Sequence, residues 1–237
     1  MVTGWDEILM GGLSPNATVM SWRGVEGGIN AAKQNHDVVM AASPYYYLDL
    51  YQGDPLVEPN TYSLSTLKMA YDFEPVPAGV DAKHILGIQG CLWTESVPTF
   101  RHAQYMTWPR SLAIAETAWS PANLKDWTKF TDRVEEHLAR FKAADRNYAP
   151  SMFDVTVEVK RAADGSLLIG LKSEVKTLDI HYTFTIANPD AHYPRYESPL
   201  KVPPGASELR VVTCRQGQVL GRQRNFPIAE LEKKAAK

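Results

Sequence analysis

The chain is poor in several features that would mark a functional class. Two cysteines in 237 residues offer no disulfide framework. Cys91 and Cys214 each lie inside an apolar, strand-like run, so both are expected as buried free thiols. The six histidines, His36, His84, His102, His137, His181 and His192, show no metal-ligand spacing, so neither a metal nor another cofactor is expected. An excess of one charge is missing too. With 25 Lys and Arg against 27 Asp and Glu there is no field to draw nucleic acid or an anionic membrane. No apolar run reaches the ~18 residues of a membrane span, and the N-terminus lacks the basic and apolar regions of a signal peptide. "GVEGG" (24–28) lacks the Lys-Ser/Thr ending of a phosphate loop and reads as a helix start. Met1 and Val2 run straight into "TGWDE", as the interior of a larger protein would.

Aromatic residues are plentiful. Six Trp, eleven Tyr and seven Phe often stand beside Asp, Glu or Gly rather than inside uniform apolar runs. Such a composition suits sugar binding and equally an aromatic core, so position along the chain has to decide. The length allows one large domain, or one medium and one small.

Over residues 1 to about 150 one theme repeats: a short apolar strand, a loop with Trp, Tyr or acidic residues, then a helical pattern. "TVMSWRG" (18–24) precedes a short helix at 24–35, and "DVVMAA" (37–42) precedes a helix at 63–73. "HILGIQGCLWTE" (84–95) precedes a long helix at 100–120 that Pro109 should kink or restart. A further helix at 125–146 spaces Trp127, Phe130, Val134, Leu138 and Phe141 by three and four. Apolar, β-branched strands of this kind belong to parallel α/β sheets covered on both faces. The units number about four, where a closed (β/α) barrel needs eight. Two free edges would then have to pair with another half, pair with a second copy, or lose order.

From "FDVTVEVKR" the period changes to two, "DG" (164–165) marks a tight turn, and "DIHYTFTI", "SELRVVTCR" and "QVLGRQRNF" read as further strands. Residues 150–237 are expected to form a small antiparallel β-sandwich, with the charged tail "AELEKKAAK" frayed.

In parallel α/β folds ligands bind beyond the carboxyl ends of the strands. At those ends stand Trp5 with Asp6 and Glu7, Trp22, Tyr47 with Asp49, and Trp93 with Glu95. One aromatic beside one carboxylate is common on any surface. Repetition at successive strand ends lines one mouth with stacking faces and hydrogen-bond acceptors, which is what a pyranose requires. The plainer alternative is that the aromatics of "SPYYYLDLYQ" (43–52) plug the mouth and Asp49 caps the next element. Tyr45 and Tyr46 read as packing. Glu135 and Glu136 read as solvated, and Glu116 as either a bridge to a neighbouring helix or a plain surface residue.

"GWDEIL", "SWRG", "YYYLD" and "GIQGCLWTE", in this order and spacing, resemble the second half of the catalytic barrel in glycoside hydrolase family 20, the β-N-acetylhexosaminidases. "YMTWPRSLAIAETAWS" resembles the segment that follows the family's last barrel strand, so the likeness covers residues 1 to about 145. The stretch from "IHYTFTI" to "GQVLG" resembles the C-terminal sandwich of some chitobiases and hexosaminidases. The resemblance implies an α/β fold, with residues 1–149 the C-terminal half of a (β/α)8 TIM barrel and residues 150–237 the sandwich. It implies hydrolysis of terminal β-linked N-acetylhexosamine glycans, with the substrate's own acetamido oxygen as nucleophile. Tyr47 matches the tyrosine that supports that oxygen, Trp5, Trp22 and Trp93 the walls of the sugar pocket, and Asp49 and Glu95 the carboxylates that bind hydroxyls. It also implies a parent protein that acts outside the cytoplasm.

One departure matters most. The family's Asp-Glu pair, which orients the acetamido nitrogen and supplies the general acid, belongs to an earlier strand. "WDE" (5–7) is not that pair, because Trp5 fits the later tryptophan position. The hydroxyl-binding arginine of the first strand has no counterpart either. The chain is therefore expected to be inactive alone, its partner being the N-terminal half of the barrel or a second copy. Two alternatives stay open: Asp49 and Glu95 as a self-sufficient acid and nucleophile, which needs a separation of about 5 Å, and a non-catalytic GlcNAc-binding or structural module.

Overall fold

In the computed structural model, which describes residues 2–235, the chain divides into two compact units, residues 1–149 and 150–237. Four short strands, β1 (Val2–Trp5), β2 (Ala17–Ser21), β3 (Val38–Met40) and β4 (Ile85–Ile88), form a parallel sheet in sequential order. Val19, Val38 and Met40 are completely buried. A fully buried side chain of this size stabilises by about 1.5–3 kcal/mol, so the covered centre of the sheet dominates its stability. The outer strands differ. Val2 and Leu86 are exposed, and among the described residues neither β1 nor β4 is paired on its outer side.

Helix α1 (Glu26–Lys33) returns the chain from β2 to β3 and buries Gly28, Ala31 and Ala32. A Cβ on Gly28 would meet Met40 Sδ at 2.9 Å and Ser21 Cβ at 3.2 Å, so its absence sets how closely the helix approaches the sheet. Gly27 and Gly28 of "GVEGG" thus serve close helix packing, while Gly24 takes φ 95° with open space around it. Helix α2 (Leu67–Asp72) starts where Thr66 caps the Met69 amide. It is shorter than the pattern from 63 to 73 suggests, because the Ser63 carbonyl and the Ser65 amide pair with Tyr51 instead.

The expected long helix is two, α3 (Phe100–Thr107) and α4 (Arg110–Trp119), interrupted at Trp108 and Pro109, where proline has no N–H to continue the ladder. Helix α5 (Trp127–Ala143) is capped by Asp126 and buries Phe130, Val134 and Leu138 on one stripe. Arg133 of α5 reaches Glu116 of α4 at 2.6 Å, so Glu116 is a helix-to-helix bridge, worth about 0.2–1 kcal/mol at its partial exposure.

In the second unit β5 (Thr156–Arg161) and β6 (Leu167–Lys172) form an antiparallel hairpin. Gly165 takes φ 79° in its turn, and the Asp164 carboxylate accepts from the Ser166 amide. Beside β6 lies β8 (Leu200–Lys201). A second antiparallel sheet centres on β9 (Glu208–Arg215), which pairs with β7 (Asp179–Thr183), β10 (Gln218–Val219) and β11 (Arg224–Pro227). Val157, Ile169 and Leu171 from one sheet and Ile180, Leu209, Val211 and Phe226 from the other share one buried cluster.

Two expectations are corrected here. "QVLGRQRNF" is two strands, because the amides of Leu220, Gly221 and Arg222 turn to Thr213 O, Thr213 Oγ1 and Asp154 Oδ1. The tail is ordered through residue 234: Ile228 and Leu231 of α6 (Ile228–Lys234) join the core cluster, while Ala236 and Lys237 lie outside the described residues. No helix among the described residues is long and apolar enough to cross a membrane.

Candidate active site

Parallel pairing brings the carboxyl ends of β1 to β4 to one edge of the sheet, and the ladder continues past the regular strands. Ala41 N donates to Ser21 O, Ser43 N to Trp22 O and Gln89 N to Met40 O, while Tyr46 to Leu48 pair with Cys91. This extension packs Tyr47 and Cys91 into one cluster with Trp5 and Trp22. It also shows why the strand expected at 84–95 is regular only to Ile88. Gly87 takes φ 155° and the register slips between Val38 and Val39.

Four rings meet here. Trp22 stacks on Tyr47, centroids 6.2 Å apart and planes 12° apart; Tyr47 lies 6.3 Å from Trp93, and Trp93 5.7 Å from Trp5. Tyr47 is buried, Trp5 and Trp22 half-buried, and Trp93 40% exposed, so the cluster opens to solvent at Trp93. Tyr45 and Tyr46 instead pack on Phe73, at 4.5 and 5.0 Å.

Burial pushes the Tyr47 phenol up to about 12 against a hydrogen bond from Trp93, with the charges of Cys91, Asp49 and Asp6 adding to the rise. At neutral pH it is therefore an O–H donor. The folded protein holds this proton more tightly than the unfolded chain, so the contribution is complete below pH ~10 and fades between ~10 and 12. Urea midpoints measured from pH 8 to 12 should fall above pH 10, and the fall should be shallower in Tyr47→Phe.

The Asp49 carboxylate is buried. Its Oδ2 accepts from Tyr62 Oη at 2.6 Å and its Oδ1 is buried without a partner. A buried carboxylate oxygen left unsatisfied is costly, and an incoming hydroxyl would satisfy it. Asp49 caps no helix. Glu95 is exposed and outside the ring cluster, its charge acting on the Tyr62 hydroxyl. Asp6 and Glu7 are engaged within the chain: Asp6 accepts from the amides of Trp22 and Arg23 and from Arg23 Nε, and Glu7 accepts from Trp22 Nε1.

Two important residues escaped the sequence reading. Tyr62, in a polar loop, carries no signal. Arg110 does carry one, being a lone cation on the buried stripe of α4 with Ala113 and Thr117. Fully buried, its guanidinium donates to the carbonyls of Tyr47 (3.3 Å), Leu48 (2.5 Å), Ser65 (3.0 Å) and Met106 (2.7 Å). Burial pulls it down to about 9, and the charges of Glu58 and Asp49 oppose that, so it stays a cation at neutral pH. Among the described residues no three His, Cys, Asp or Glu side chains are grouped to hold a metal ion.

The family model described as "Glycosyl hydrolase family 20, catalytic domain" matches residues 1–122. A β-hexosaminidase of Porphyromonas gingivalis is 45% identical over 150 residues, covering 61% of this chain and 19% of that protein. A β-hexosaminidase of Akkermansia muciniphila is 31% identical over 138 residues, covering 56% and 28%. Among solved structures, the exo-β-N-acetylglucosaminidase of Vibrio harveyi in complex with N-acetylglucosamine superposes with a TM-score of 0.58 at 34% identity, over 62% of this chain and 24% of that one. The chain thus spans between about a fifth and under a third of the length of these relatives.

Proposed function

The chain belongs to glycosyl hydrolase family 20, and from that premise we propose that it supplies one side of a site hydrolysing terminal β-linked N-acetylhexosamine. In this reading residues 1–149 are the C-terminal half of a (β/α)8 barrel and residues 150–237 an accessory β-sandwich. The remaining barrel strands come from the rest of a longer protein or from a second copy, and they cover the open edges of β1 and β4. The observation that carries the reading is the four-ring cluster at the carboxyl ends of four consecutive parallel strands, with the Tyr47 hydroxyl among the rings.

The chemistry follows from those groups. An acetamido group entering between Trp5, Trp22 and Trp93 would place its carbonyl oxygen near Tyr47 Oη. As that oxygen attacks the anomeric carbon the glycosidic C–O bond breaks and the leaving oxygen takes its proton from a general acid. The phenol O–H holds the attacking oxygen in line, and the positive charge that builds on the amide falls to the carboxylate that orients its nitrogen. Asp49, through the unpartnered Oδ1, and Glu95 accept from ring hydroxyls. The proton donor and the carboxylate that orients the acetamido nitrogen come from a strand outside this sheet, since Asp6 and Glu7 are engaged with Trp22 and Arg23. A missing general acid alone lowers the rate by about 10²- to 10⁴-fold.

The test is hydrolysis of a chromogenic β-GlcNAc glycoside by this chain alone, alongside N-acetylglucosamine binding followed by NMR. No turnover is expected, with weak binding that Tyr47→Phe weakens up to about tenfold, the value of one hydrogen bond. Turnover that disappears in Asp49→Asn would show that the chain completes a site by itself. Binding indifferent to Tyr47→Phe would leave a structural module.

A further inference from the structure

The acidic pair after β1 serves the next strand's tryptophan. Trp22 is half-buried, so packing alone does not fix its ring as it would in a core. Polar contacts do. Its backbone amide donates to Asp6 Oδ2 at 3.2 Å, and its indole Nε1 donates to both oxygens of Glu7, at 3.1 and 3.0 Å. Arg23, held on Asp6 at 2.7 Å, lies with its guanidinium 5.8 Å from the Trp22 ring centre. Asp6 is itself confined: a Cβ on Gly27 would come within 2.7 Å of its Cβ, so α1 abuts it directly.

An indole has one N–H, and a carboxylate that captures it with both oxygens selects one of the ring's two flip states. The selected state is the one stacked at 12° on Tyr47. We propose that Glu7 is a positioning residue: by holding the indole N–H of Trp22 it keeps that ring parallel to Tyr47, and through Trp22 it sets the wall against which an acetamido group would lie. The consequence for a sugar rests on the function proposed above; the clamp itself does not. Glu7 has no contact with substrate in this scheme. It acts through Trp22, so an acceptor in its place suffices and its charge is dispensable.

That distinction defines the test. In the full chain, Glu7→Gln keeps an oxygen that accepts from Nε1, whereas Glu7→Ala removes it. Three readouts are taken on wild type, both Glu7 variants and Tyr47→Phe: the Trp22 indole N–H resonance, identified by its loss in Trp22→Phe; the affinity for N-acetylglucosamine; and the melting temperature. Glu7→Ala should move the indole resonance upfield and weaken sugar binding about five- to tenfold, with the melting temperature changed by no more than about 2 °C. Glu7→Gln should bind within about twofold of wild type.

An indole resonance unmoved by Glu7→Ala overturns the clamp. A moved resonance with unchanged binding, while Tyr47→Phe weakens it, overturns the role of Glu7 in the site and leaves the site standing. Equal loss in Glu7→Gln and Glu7→Ala would make the charge, not the acceptor, the active feature, and would also overturn the proposal. If wild type shows no sugar binding, the functional reading fails and the indole resonance alone decides the clamp.

Discussion

Replacing Arg110 by methionine should destabilise the first unit by at least about 4 kcal/mol, a large part of the 5–15 kcal/mol that holds a typical domain together. The side chain is completely buried and four of its five N–H donors go to four main-chain carbonyls, Nε alone being buried without a partner. Three of the carbonyls, those of Tyr47, Leu48 and Ser65, belong to the long segment between β3 and α2. Each carbonyl left buried without a donor costs about 1–3 kcal/mol, and the costs do not simply add because the segment relaxes. Asp49 and Glu58, whose charges act on this guanidinium, would also lose that favourable interaction. Arg110→Lys separates the two contributions. An ammonium keeps the charge but has three donors in a compact head, so it cannot span carbonyls that the planar fork reaches from both ends. It should recover less than half of the loss. Urea unfolding followed by tryptophan fluorescence measures both. A methionine variant within 1 kcal/mol of wild type would mean that the segment holds itself without Arg110.

This residue shows what was legible in the sequence and what was not. The parallel strands could be read because Val19, Val38 and Met40 lie in short, uniformly apolar runs, a local signature of burial on both faces. The stripe of α5 and the period of two from Val155 onward are local in the same sense. Trp5, Trp22, Tyr47 and Trp93 could be singled out because strand ends in a parallel sheet converge whatever the loops do. Their partners could not. Arg110 is 63 residues from Tyr47, Tyr62 reaches Asp49 across 13 residues of loop, and Glu7 reaches Trp22 across 15. Each of these depends on a tertiary distance with no periodic trace in the sequence. The same holds for α6, whose two core residues, Ile228 and Leu231, make too short an apolar stripe to outweigh its charged face.

Glycines divide similarly, and one of them supports the second large effect. Gly165 was legible, since "DG" between alternating strands marks a turn, and its φ of 79° with open space around it makes its requirement conformational. Gly221 has no such signature, and its requirement is space. A Cβ there would stand 2.3 Å from Thr213 Oγ1 and 2.5 Å from Phe153 O, the first a fully buried hydroxyl, the second main chain. Neither is the free end of a flexible side chain. Thr213 Oγ1 donates to Phe153 O at 2.6 Å and accepts from Gly221 N at 2.9 Å, so separating these atoms to admit a methyl breaks both bonds at once. Overpacking costs about 1–3 kcal/mol and a buried unsatisfied group a further 1–3, so Gly221→Ala should lose at least about 2 kcal/mol. Amide exchange of Val211 and Val212 in β9 should accelerate accordingly. Thr213→Ala gives the decisive comparison. It removes one obstruction and leaves Phe153 O in place, so Gly221→Ala should cost less on that background than on wild type, yet still more than zero. Equal costs on both backgrounds would show that the Phe153 carbonyl alone excludes a side chain, and a negligible cost on wild type would show that the 220–223 corner shifts freely.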